Sequence, residues 1–222
     1  MVGMFVLITF LVFIIVDIFV LKMQNKPHPA FGMIMSSNLL LFNNFNIDIP
    51  GDLLFSRSHT WLQRNHYGLI KIGVDDFIDK SLGNYSFSKF ADINKDIKRG
   101  EIIFELLSGN KLIKIPSPID GTLKFINEDL LSKKNINPYQ DWGVLVEPKN
   151  YDENIRQLIF PKDSAAWMTK EISKLKSFMK NTFQKTDLAG LTMYDGGTVV
   201  KSVISSLTDR EFQDFQKEFL TL

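Results

Sequence analysis

The sequence predicts a mainly β domain, a small antiparallel sandwich or flattened barrel, set between an N-terminal transmembrane helix and C-terminal α-helices. Three observations lead there. Val2 to Leu21 is almost continuously apolar. From Leu53 to Pro148 short apolar runs alternate with turns rich in Gly, Asn, Asp and Pro. Beyond Asp163 the apolar residues fall at helical spacing. Many short strands with regular turns suit a sandwich or barrel better than a parallel sheet. The boundaries read as 1–22 for the membrane helix, 23–52 for a linker, 53–150 for the β domain and 151–222 for a helical extension.

Composition removes several classes of function. The 26 basic and 25 acidic side chains leave a net charge of +1, and no basic stripe interleaved with aromatics appears, so nucleic acid is not an expected partner. Without cysteine there are no disulfides, thiolate zinc sites or cysteine nucleophiles. The three histidines, His28, His59 and His66, are too few and too poorly spaced for a metal site. No phosphate-binding loop or supported Ser-His-Asp order is present, and the chain does not read as an enzyme.

The apolar run at the N-terminus is long enough to span a bilayer, for which roughly 20 residues suffice. A secretory signal would want a positive start, a shorter apolar core and a small-residue cleavage site, none of which is here. Lys22 and Lys26 follow the run and no basic side chain precedes it. The basic flank therefore places the bulk of the chain in the cytoplasm, as a single-pass protein of the cell (inner) membrane. Asp17 interrupts the run about 7 Å inside the boundary, at about 1.5 Å per residue. It reaches either headgroups or a neighbouring transmembrane helix, since polar groups there seek partners. Gln24 to Pro50 reads as a linker, with Pro27, Pro29, Pro50 and an Asn-rich run. Its apolar patches imply that part of it packs on something.

The β elements follow in order. Tyr67–Gly73 reads as a strand after a hairpin at Asn65-His66. Asp75 is a good N-cap for a short helix that Gly83 would stop. That capping role accounts for the Asp75-Asp76 pair better than paired-carboxylate chemistry does. Asn84–Phe90, Glu101–Leu107, Lys111–Ile115, Gly121–Ile126 and Trp142–Val146 complete the strands. Between Glu101–Leu107 and Lys111–Ile115, Gly109-Asn110 is a two-residue hairpin tip, because both residues tolerate positive φ. His59 and Trp61 fall on one face of the first strand, where a lone histidine is usually hydrogen-bonded locally rather than a ligand or base. Pro138 and Tyr139 shape the last turn and Trp142 covers the core.

Several short blocks then carry a resemblance. They are Ser58-His59-Thr60-Trp61, Ile72 to Phe77, Leu82-Gly83, Ser117 to Thr122, Asn127-Glu128 and Asn137 to Trp142, in this order around Glu105 to Lys111. Over roughly Leu53 to Pro148 the chain resembles the H protein of the glycine cleavage system, a lipoyl-carrying domain. The resemblance implies a lipoyl-type (hammerhead) fold that presents a carrier lysine on a hairpin tip. In that family the lysine stands eight residues before the proline of a Ser/Ala-Pro pair. Counting back from Pro118 gives Asn110, after Ser108-Gly109. Lys111 is one residue away, and a one-residue slip turns a strand side chain to the opposite face. Lys111 reads as a solvated strand-end lysine, with lipoylation there as the alternative.

Two helices are expected in the extension. After Asp163-Ser164, an apolar stripe of Trp167, Ile172, Leu175, Phe178, Met179 and Phe183 is backed by Lys170, Lys174, Lys176, Lys180 and Lys185. The helix either docks on its own domain or lies on an anionic membrane. Thr208-Asp-Arg-Glu211 is a capping box, followed by Phe212, Phe215 and Phe219 on one face. The body of the chain or a partner groove would receive these rings. Met193–Thr198 is a glycine-rich turn and weak evidence of an anion site.

The sequence thus favours a non-catalytic, membrane-anchored accessory subunit without a cofactor. Its partners would be the lipid bilayer and other subunits of a membrane complex, engaged through Asp17, Phe212, Phe215 and Phe219. The alternative is a lipoyl carrier loaded at Lys111. A third reading is a membrane-surface adaptor that uses residues 163–186.

Overall fold

The computed structural model describes residues 49–185, 204 and 207–222. The apolar run with Asp17, most of the linker and the Met193–Thr198 turn lie outside the described residues. Among the described residues no helix is long and apolar enough to cross a membrane.

Two antiparallel sheets form the body. The larger has the order β1-β2-β3-β9-β8-β5, built from Leu54–Phe55, Thr60–Arg64, Ile70–Val74, Val144–Pro148, Gly121–Ile126 and Asp96–Ile97. The smaller has the order β4-β6-β7, from Ser86–Phe90, Ile102–Ser108 and Lys111–Pro116. The smaller sheet turns the rings of Phe87 and Phe104, with centroids 5.1 Å apart, toward the start of β9. Both abut Gly143, where an added Cβ would stand 3.0 Å from the Phe104 ring. A side chain at 143 would push the smaller sheet away from the start of β9.

Local chemistry explains the turns. Asp75 caps α1 (Asp76–Leu82), its carboxylate accepting from the amides of Phe77 and Ile78. Gly83 ends the helix at φ +68, a conformation that favours glycine. Three expectations shift. The hairpin after β2 is a five-residue loop, because the Asn65 side chain accepts from the amides of Tyr67 and Leu69 and delays β3 to Ile70. His59 is not on a strand: it stands just before β2 with φ +59. At the tip only Gly109 takes positive φ, as in a turn with one left-handed centre.

The described parts of the extension are largely helical and pack on the body. Phe55 and Ile159 exchange two backbone hydrogen bonds, of 3.0 and 2.7 Å, which tie the segment after α2 (Tyr151–Ile155) to β1. The long α3 (Pro161–Lys185) follows, two residues earlier than the Asp163 start expected. It buries Met168, Leu175 and Met179 and places Trp167 against the Leu53-Phe55-Trp61 cluster. The last helix, α4 (Asp209–Phe219), begins at Thr208 with the complete capping box. Phe212, Phe215 and Phe219 all point inward and are buried. Phe219 lies 5.5 Å from Phe77 of α1, and Phe215 lies 6.2 Å from Phe178 of α3. These rings fill the chain's own core, so the expectation that they face a partner is corrected. Burying three aromatic rings internally is the larger hydrophobic gain at hand, since each carries about 150–250 Å².

Candidate functional site

The β6–β7 hairpin projects Gly109 and Asn110 into solvent. Ser108 and Lys111 face each other directly across the two-residue turn, and the register shift in this pair lies far from the tip, between Ile102 and Phe104. The tip is therefore unbulged, and the strand alternation decides what each side chain meets. Ser108, Lys111, Ile113 and Ile115 turn inward; Leu107, Leu112 and Lys114 turn outward.

Lys111 is consequently not solvated. Its side chain is 7 % exposed, and its Nζ donates to Asp209 Oδ1 at the first residue of α4. The same ammonium lies 5.5 Å from the centroid of the Phe212 ring. The Lys111 contacts hold the Asp209 carboxyl below the usual carboxylate range, first by hydrogen bond and then by charge. Ser108 is occupied as well, its hydroxyl donating to the carbonyls of Leu82 and Asn84.

The outer side of the hairpin differs. Leu107 and Leu112 form a cross-strand pair just below the tip, 40 % and 39 % exposed. Leu107 and exposed Leu131 line an open groove of about 570 Å³ that includes Gly109 and Lys134. Tyr85 also lines it; burial pushes its hydroxyl pKa well up, and that hydroxyl has no hydrogen-bond partner among the described residues.

Behind the sheets lies a second polar cluster. The His59 ring is fully buried between Phe77, at 3.7 Å between centroids, and Trp167, at 5.1 Å. Its Nδ1 donates to Asp75 Oδ2 at 2.9 Å, and its Nε2 stands 3.7 Å from the Glu171 carboxylate of α3. Sequence reading expected local satisfaction of His59 and found the Asp75 cap, but not Glu171.

The glycine cleavage H-protein family matches residues 53–171, the β domain together with the start of α3. The chain belongs to the glycine cleavage H-protein family. The probable glycine cleavage system H protein of Pyrococcus furiosus is 26 % identical over 123 residues, 54 % of this chain and 92 % of that protein. The glycine cleavage system H protein of Mycolicibacterium vanbaalenii is 29 % identical over 112 residues, 49 % of this chain and 85 % of that one. A crystal structure of an H protein from Mycobacterium marinum aligns with a TM-score of 0.45 at 18 % identity, over 55 % of this chain and 99 % of that chain.

Within this H-protein domain, the hairpin tip is where a lipoyl arm would be expected. The group is joined by an amide to a lysine amine. The exposed tip residue, Asn110, offers a carboxamide, whose nitrogen is not a nucleophile. The amine next in sequence, Lys111, is held by Asp209 under α4. The residues at this tip, as arranged, do not fit a lipoyl attachment. Residues beyond 171, including α4, lie outside the family match, so the element that covers Lys111 is additional to the shared domain.

Proposed function

We propose that this H-protein domain serves as a non-catalytic docking module, an accessory subunit of a membrane assembly tethered through residues 2–21. The observation that carries the reading is Lys111: the amine adjacent in sequence to the tip is 7 % exposed and paired with Asp209. A carrier needs a free amine at that place, and a docking module does not. The exposed Leu107–Leu112 pair and Leu131 beside the same tip support a protein-facing role, because exposed apolar clusters mark interaction surfaces.

The second reading keeps the family's carrier chemistry, with a lipoyl group on Lys111. Membership of the H-protein family favours it. Intact mass of the native chain, taken from its own membranes in mild detergent, separates the two. An unmodified mass, with co-purifying proteins lost in Leu107→Lys, supports the docking module. A mass increased by one lipoyl group and mapped to Lys111 overturns it.

A further inference from the structure

We propose that a proton on His59 clamps α3 to the β domain, so that the docking of the C-terminal helices is set by pH. Three elements converge on the imidazole. The turn before β2 supplies His59 itself, the start of α1 supplies Asp75 and Phe77, and α3 supplies Trp167 and Glu171. Asp75 is already committed, one oxygen to the amides of Phe77 and Ile78 and the other to His59 Nδ1. An ionised carboxylate only accepts, so Nδ1 carries a hydrogen in either protonation state of the ring. The state is therefore decided at Nε2.

Nε2 is buried, makes no hydrogen bond among the described residues, and has the Glu171 carboxylate 3.7 Å away. In the neutral ring this nitrogen presents a lone pair to a carboxylate, an unfavourable contact shielded from water. In the charged ring it presents N–H, and the contact becomes an ion pair across the α3 interface. The remaining charges facing the cluster are Lys174, 4.0 Å from Glu171 on the same helix, and Arg57, which acts on Glu171 from the turn before β2. Both help keep Glu171 ionised, and neither replaces the proton on Nε2. Trp167, one turn before Glu171, stacks on the same ring, so its packing and the charge contact form or break together as α3 docks.

The titration agrees with the geometry. Burial, the largest influence, pushes the His59 pKa down, but the charge and hydrogen bond of Asp75, followed by Glu171, outweigh it and leave the value raised. A raised folded value stabilises the docked state fully below the ordinary histidine pKa of about 6.5. That contribution is lost as pH rises through the folded value. The docking equilibrium falls about tenfold for each pH unit through which the docked form stays protonated and the undocked form does not.

The test uses the full chain in detergent. Hydrogen exchange of α3 amides, corrected for the intrinsic pH dependence of exchange, reads the opening of the helix. The NMR titration of the His59 ring reads the proton directly. The expected result is a His59 titration above the ordinary histidine value of about 6.5, with α3 opening more often as pH passes it. In Glu171→Gln, a change at a partly exposed site that keeps the side-chain shape, the titration moves down and the pH dependence of α3 opening shrinks. If His59 titrates alike in wild type and Glu171→Gln, or α3 opening does not follow the His59 titration, the clamp is overturned.

Discussion

Lys111 and Asp209 illustrate how unequally two partners can share one ion pair. The ammonium is sheltered, whereas the Asp209 side chain is 92 % exposed. Solvent screens the carboxylate, so the pair contributes little as a surface salt bridge would. What it does is satisfy an amine that the strand alternation has turned inward. Lys111→Met keeps an unbranched side chain one atom shorter and removes the charge, and Asp209 remains in water, so the fold should tolerate it. The depressed Asp209 value means that the contact stabilises above the ordinary aspartate pKa of about 3.9 and is lost as pH falls through the lower folded value. Thermal melts across the acid range should show wild type losing that increment while Lys111→Met does not. A variant that lost stability in parallel with wild type would show that the pair has no such role.

At the scale of elements, β8 and β9 pack closest at Gly121. An alanine Cβ there would stand 2.4 Å from the backbone oxygen of Glu147 and from the Val146 side chain. Backbone cannot step aside as a side chain can, so Gly121→Ala should cost about 1–3 kcal/mol or more, as overpacking does. Gly51→Ala, with nothing within 4 Å of the added Cβ, is the control in a urea unfolding series. Equal midpoints for the two would contradict the packing described. Elements were legible in the sequence where a side chain acts on its own neighbourhood. The Asp75 cap, the Gly83 stop, the β6–β7 tip and the Thr208 capping box are of this kind. Two-residue β1 and β5 were not, because they are too short to show a period, nor was the short α2, whose N-cap Asn150 makes no side-chain cap bond. At the sites the partners are distant. The burial of Lys111 depends on Asp209, 98 residues away, and the charge on His59 depends on Glu171 from another helix. No spacing rule could have joined those pairs, whereas the exposure of Asn110 follows from the turn alone.

Over the whole molecule, the chain enters through Ile49 packed on the Leu53-Phe55-Trp61 cluster and reaches α3 from Ile159 beside Phe55. The two bonds that Phe55 and Ile159 exchange run antiparallel, so the incoming end of one segment lies beside the outgoing end of the other. This has a mechanical meaning. Tension applied between the segment before Ile49 and the C-terminal helices would load those two bonds in peeling geometry, one after the other, before either sheet bears force. The first extension in a single-molecule pulling experiment should therefore release α3 and α4 while both sheets stay folded. A single event that unfolds everything at once would contradict it. A chain pulled from both sides would then yield first where Phe55 meets Ile159, and that joint would act as a mechanical fuse sparing the β domain.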